Sequence, residues 1–126
     1  MTRNATDVYA QHRASFPQVS AYVVMRDGKQ VATVAIKYPR DGAGRLYAYV
    51  HWFGVPMVRG YAGGGGYDKR SAACANAARN LPPALPAGYD DDAQIYAAFR
   101  LYLGDDNGLS WQYRLESLGF KVLQAV

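Results

Sequence analysis

The stretch Val19-Ser20-Ala21-Tyr22-Val23-Val24-Met25-Arg26-Asp27-Gly28-Lys29-Gln30-Val31-Ala32-Thr33-Val34-Ala35-Ile36-Lys37-Tyr38 decides the fold. Val19 to Arg26 and Lys29 to Tyr38 are rich in β-branched and aromatic residues, and Asp27-Gly28 between them is a strong hairpin signal. A two-residue turn sets Arg26 opposite Lys29 and fixes every pair further out. By that count Val19 meets Ile36, Ala21 meets Val34 and Val23 meets Ala32, all apolar and all on one face. The other face receives Ser20 with Ala35, Tyr22 with Thr33, and Val24 with Val31. One buried and one mixed face is the pattern of an antiparallel sheet.

The neighbouring segments extend this sheet. Pro39-Arg40-Asp41-Gly42-Ala43-Gly44 reads as a turn. In the strand that follows, Leu46, Ala48, Val50 and Trp52 alternate with Arg45, Tyr47, Tyr49, His51 and Phe53. With the aliphatic set inside, the mixed face gathers Tyr22, Lys37, Arg45, Tyr47, Tyr49 and His51, with Arg26 and Lys29 at the turn. Aromatic rings beside cations suit a protein partner or single-stranded nucleic acid. The same tyrosines also fit a face packed beneath another element, with their hydroxyls reaching water.

The remainder reads mostly as helix. Thr6 to Ser15 predicts a short first helix, ended by Phe16-Pro17. Gly54 to Tyr61 holds a bend or a short fourth strand. Ser71 to Leu81 is alanine-rich, follows the natural cap Asp68, and stops at Leu81-Pro82-Pro83. Asp90, Asp91 and Asp92 open another helix, where negative charge suits the dipole. Its expected inner face is Ile95, Ala98, Phe99 and Tyr102. Leu109 to Leu118 predicts a third helix with Trp111, Leu115 and Leu118 on one stripe, ended by Gly119. Phe120 to Val126 alternates as a final strand, at a sheet edge or beside an earlier strand. The fold class expected is α+β: a three- to four-stranded antiparallel sheet with helices packed on one face, in a single domain of 126 residues.

Composition narrows the function. The chain has 50% hydrophobic residues and 19% charged residues, which describes a globular rather than a disordered protein. Its net charge of +4 permits an anionic partner without requiring one. A single cysteine, Cys74, makes no internal disulfide, which suits a reducing cytoplasm. No signal peptide is expected, because no apolar stretch follows the basic Arg3, and no membrane span, because no apolar run approaches about 20 residues.

The candidate chemistry is thin. Gly63-Gly64-Gly65-Gly66 precedes a helix, but Tyr67-Asp68 stand where a phosphate loop needs Gly-Lys. Cys74 lies among alanines and reads as a small buried hydrophobe. Two histidines and one cysteine fall short of the usual four zinc ligands. The aspartate runs lack the alternating spacing of a calcium loop. No catalytic set, metal or other cofactor is expected.

Two resemblances add to this. Gly64, Gly66, Asp68, Lys69, Arg70, Ala72 and Ala75, after three antiparallel strands, resemble the second-helix region of a double-stranded-RNA-binding domain. The likeness covers residues 6–81. It implies an interface of Tyr67, Lys69 and Arg70, with the two cations on phosphates. Asp68 replaces that family's serine, Ala73 stands where a lysine is usual, and Asp27-Gly28 is shorter than its groove-reaching loop. More broadly, Ser20-Ala21-Tyr22-Val23-Val24, the hairpin through Val34, Gly65-Gly66-Tyr67-Asp68-Lys69 and the segment from Leu118 to Val126 are similar to small phage, prophage and plasmid open reading frames. That group includes inhibitors of bacterial defence, among them anti-CRISPR proteins. It implies a non-enzymatic binder in the bacterial cytoplasm that occludes a host defence protein or ribonucleoprotein. The sequence leaves a homodimer open, since the last strand can join the main sheet or pair with another copy.

Overall fold

The computed structural model describes residues 18–38, 46–56, 58–61, 70–105 and 107–124. Within them the chain is α+β, as expected. The strands are β1 (Gln18–Arg26), β2 (Lys29–Tyr38), β3 (Tyr47–Trp52), β4 (Arg59–Tyr61) and β5 (Lys121–Gln124). They form one antiparallel sheet in the order β4-β3-β2-β1-β5. Both optional strands are present, so the sheet has one strand more than the expected maximum. Three helices, α1 (Arg70–Asn80), α2 (Ala93–Leu103) and α3 (Trp111–Glu116), are joined by a 3-10 turn at Asp90–Asp92. The expected helix at 6–15, the turn at 39–44 and the glycine run at 63–66 lie outside the described residues.

The hairpin turn is where the dipeptide places it. Asp27 and Gly28 both have positive φ, 53° and 79°, as a type I′ turn requires. Arg26 pairs with Lys29, but the register then departs from the simple count. Met25 pairs with Gln30 and Val24 with Ala32, so Val31 is an extra residue in β2. From this β-bulge outward the pairs are Val23 with Thr33, Tyr22 with Val34, Ala21 with Ala35, and Ser20 with Ile36. Each is one residue out of step with expectation. Because side chains alternate with period two, a one-residue slip turns all of β1 over.

One face therefore carries Tyr22 and Val24 from β1, Ala32, Val34 and Ile36 from β2, and Ala48, Val50 and Trp52 from β3. The assignments for β2 and β3 match the expected inner face; the assignment for β1 is reversed. The helices pack on this face, with α1 across β3 and β4 and α3 over β5. Alanines and Cys74 on α1 permit close approach: Ala73, Cys74, Ala77 and Ala78 are all buried. Leu81 at the helix end is buried too, and Pro82 follows it.

On α2 the buried stripe is Tyr96, Phe99 and Leu103, with Ile95, Ala98 and Tyr102 half-buried beside it. The inner face is thus rotated by about one position from that expected. Tyr96 claims the centre because its hydroxyl donates to the Pro82 carbonyl at 2.6 Å, which satisfies the one polar atom that burial would strand. Trp52 sits edge-on to Tyr96 and Phe99, with centroids 5.1 and 5.4 Å away. Ser110 caps α3, its Oγ accepting from the Tyr113 N–H at 3.1 Å. The buried Arg114 donates to the carbonyls of Tyr102, Leu103 and Leu109, tying α3 to the open C-terminus of α2. Gly119 takes φ 91° and turns the chain into β5.

Candidate functional site

The site expected from alternation is the mixed face of the sheet. The structure brings part of it together, on the face turned away from α1, α2 and α3. Tyr47, Tyr49 and His51 stand there at alternate positions of β3, all half-buried. Lys37 of β2 pairs with Tyr47, and Ala35 pairs with Tyr49. The Lys37 ammonium lies over the Tyr49 ring, 3.2 Å from its centroid, a cation–π contact along the diagonal between strands.

This face is less open than alternation suggests. Lys37 is only 3% exposed, and Ala21, Thr33 and Ala35 beside it are buried completely or nearly so. Burial pushes the Lys37 amine down from 10.5 to about 8, because desolvation penalises the ammonium. Thr33 Oγ1 is buried with no hydrogen-bond partner among the described residues. At the turn end, Val23, Phe53 and Met25 form a small apolar cluster. Tyr47, Tyr49 and His51 thus stand half-buried on β3 beside a lysine that is itself buried.

Tyr22 is the correction. It was expected beside Tyr47 and Tyr49, but the bulge at Val31 sends it to the helix face. There it is 9% exposed, edge-on to Trp111 at 5.3 Å, with its hydroxyl accepting from Arg70 Nη1 at 3.1 Å. Ala21 and Val23 take its place on the outer face. The bulge shows in the pairing, which passes from Met25 with Gln30 to Val24 with Ala32 and leaves Val31 over. In sequence Val31 and Ala32 are simply two small apolar residues.

The turn cations are engaged in holding the fold. Arg26 Nη1 donates to the Leu118 carbonyl at 2.9 Å, and its guanidinium lies 5.0 Å over the Phe120 ring. Lys29 approaches Asp92 at 3.6 Å. Of the remaining expected residues, Arg45, Tyr67 and Lys69 lie outside the described residues. Arg70 is exposed at the first residue of α1.

Cys74 is fully buried, and burial pushes its thiol up to about 12 against the opposing pull of Arg114 and Arg70. At neutral pH it is a protonated packing group, not a nucleophile. Among the described residues no group of three or more His, Cys, Asp or Glu side chains could hold a metal ion. None of the described helices is long and apolar enough to cross a membrane. The fold and site together describe an antiparallel α+β protein whose sheet face away from the helices presents half-buried Tyr47, Tyr49 and His51 beside a buried Lys37. Comparison with protein families, with curated proteins and with solved structures finds no match.

Proposed function

We propose that this chain is a non-enzymatic binding protein that acts by covering a partner's surface through the outer face of β3. One observation carries the reading: Tyr47, Tyr49 and His51 line one strand face, with the Lys37 ammonium set on the Tyr49 ring. Half-buried tyrosines lose little side-chain freedom when a partner covers them, and their hydroxyls replace hydrogen bonds made to water. The partner class follows from the resemblance to small mobile-element reading frames: a bacterial host defence protein or ribonucleoprotein, met in the cytoplasm.

The test is association and protection. The tagged protein is expected to co-purify with a defence complex and to protect a phage from it. Tyr47→Ala with His51→Ala is expected to abolish both effects while the circular dichroism spectrum is retained. Failure to associate with or protect against any defence system overturns the reading, as does protection that survives this double change.

Direct nucleic-acid binding is the second reading, favoured by the exposed Arg70 at the start of α1. It predicts affinity for RNA that falls steeply with salt. RNA affinity unchanged by Lys69→Ala with Arg70→Ala excludes that mode.

A further inference from the structure

Asn76, Asn80 and Asn107 differ in the backbone amide that follows each of them. Asn76 lies inside α1, where the next amide belongs to the helix ladder. Asn80 ends that helix, and the Leu81 N–H after it donates to the Ala78 carbonyl at 3.2 Å. Asn107 stands exposed in the turn between α2 and α3, and the exposed Gly108 follows it. Among the described residues no hydrogen bond engages the Gly108 N–H. Gly108 holds φ 90°, and the space a Cβ would fill there is open.

The Asn107 side chain is held over this amide. Its Oδ1 accepts from the Leu109 N–H at 3.2 Å, and its Nδ2 donates to Asp105 Oδ2 at 3.2 Å. A side-chain oxygen bonded to the amide two residues on folds the side chain across the peptide between them. Cγ of Asn107 is thereby kept beside the nitrogen of Gly108, where the two atoms can join. The Leu109 N–H is aimed at the oxygen that gains negative charge when they do.

We propose that Asn107 is a self-modification site, at which the Gly108 nitrogen displaces the side-chain amide and leaves a carboxylate. Base takes the proton from the Gly108 nitrogen, and the lone pair bonds to Cγ of Asn107. The Cγ–Nδ2 bond breaks, and its nitrogen leaves as ammonia with a proton taken from water. One water then opens the five-membered succinimide. Attack at Cγ restores the ordinary main chain with an aspartyl side chain. Attack at the main-chain carbonyl carbon routes the backbone through Cβ and Cγ, an isoaspartyl linkage. Water is the only co-reactant. Either product lowers the net charge of +4 by one, next to Asp105 and Asp106. The isoaspartyl form also adds a methylene to the main chain two residues before Leu109, whose carbonyl Arg114 holds. The change therefore reaches the joint between α2 and α3.

The test follows the whole native chain at mildly alkaline pH, with peptide mapping by mass spectrometry to read conversion at each asparagine. Conversion at Asn107 is expected to exceed that at Asn76 and at Asn80 by about tenfold or more. Both aspartyl and isoaspartyl products are expected at position 107. The chain unfolded in guanidinium chloride separates the fold from the dipeptide. Folding is expected to slow Asn107 by less than about tenfold relative to that control, because its geometry already lies near attack. Gly108→Ala crowds the attacking nitrogen and disfavours the left-handed φ, so it is expected to slow conversion by about threefold or more. Any of these comparisons falling short of its threshold overturns the proposal. So does an aspartyl product alone, which would mean direct hydrolysis without ring closure.

Discussion

Replacing Tyr22 by alanine tests the register on which the sheet depends. In the bulged hairpin Tyr22 is 9% exposed, touches Trp111 edge-on at 5.3 Å and accepts from Arg70. In an unbulged hairpin it would stand on the outer face beside Thr33, where truncation costs little. Truncating a buried aromatic costs about 3–5 kcal/mol, of which the ring–ring contact supplies about 1. Taking about 3 kcal/mol, and about 4 °C per kcal/mol for a domain this size, Tyr22→Ala is expected to lower Tm by about 12 °C. Tyr22→Phe removes only the hydroxyl bond to a guanidinium on an exposed residue and is expected to cost about 0.5–1 kcal/mol. Tyr47→Ala, on the half-buried outer strip, is expected to cost about 1 kcal/mol. Calorimetric melting of the three variants, with a cycle pairing Tyr22→Ala with Trp111→Ala, measures the difference. If Tyr22→Ala costs no more than Tyr47→Ala and shows no coupling to Trp111, the bulge at Val31 and the reversal of β1 are wrong.

Two further outcomes follow from buried cations. Arg114→Met leaves the carbonyls of Tyr102, Leu103 and Leu109 without their donor and is expected to cost about 3 kcal/mol by urea denaturation. Arg114→Lys is expected to recover less than half of that loss, because one ammonium cannot span the fork. Lys37 gives a pH dependence. Its amine releases its proton near pH 8 when folded but holds it to about 10.5 when unfolded. Between those values the unfolded chain binds more protons, so stability rises with pH. A urea midpoint that climbs from pH 8 to pH 10 in the native chain and stays flat there in Lys37→Met is the expected result; equal slopes refute it.

The contrast between β1 and β3 shows where the sequence is legible. In β3, aliphatic residues alternate strictly with tyrosine and histidine, so only one face can go inward, and it does. In β1, Ser20, Ala21, Tyr22, Val23 and Val24 are all small, β-branched or amphipathic, and either parity can be buried. Pairing apolar with apolar across the turn was therefore satisfied by two registers. The bulge that chooses between them involves Val31, a residue with no turn chemistry to announce it. Tyr22 fits the core because its ring meets Trp111, more than eighty positions later in the chain, and no local pattern carries that distance. Lys37 was legible as a member of the outer face but not as a buried one. Alternation leaves that face to solvent, yet Ala21, Thr33 and Ala35 around Lys37 are buried with it.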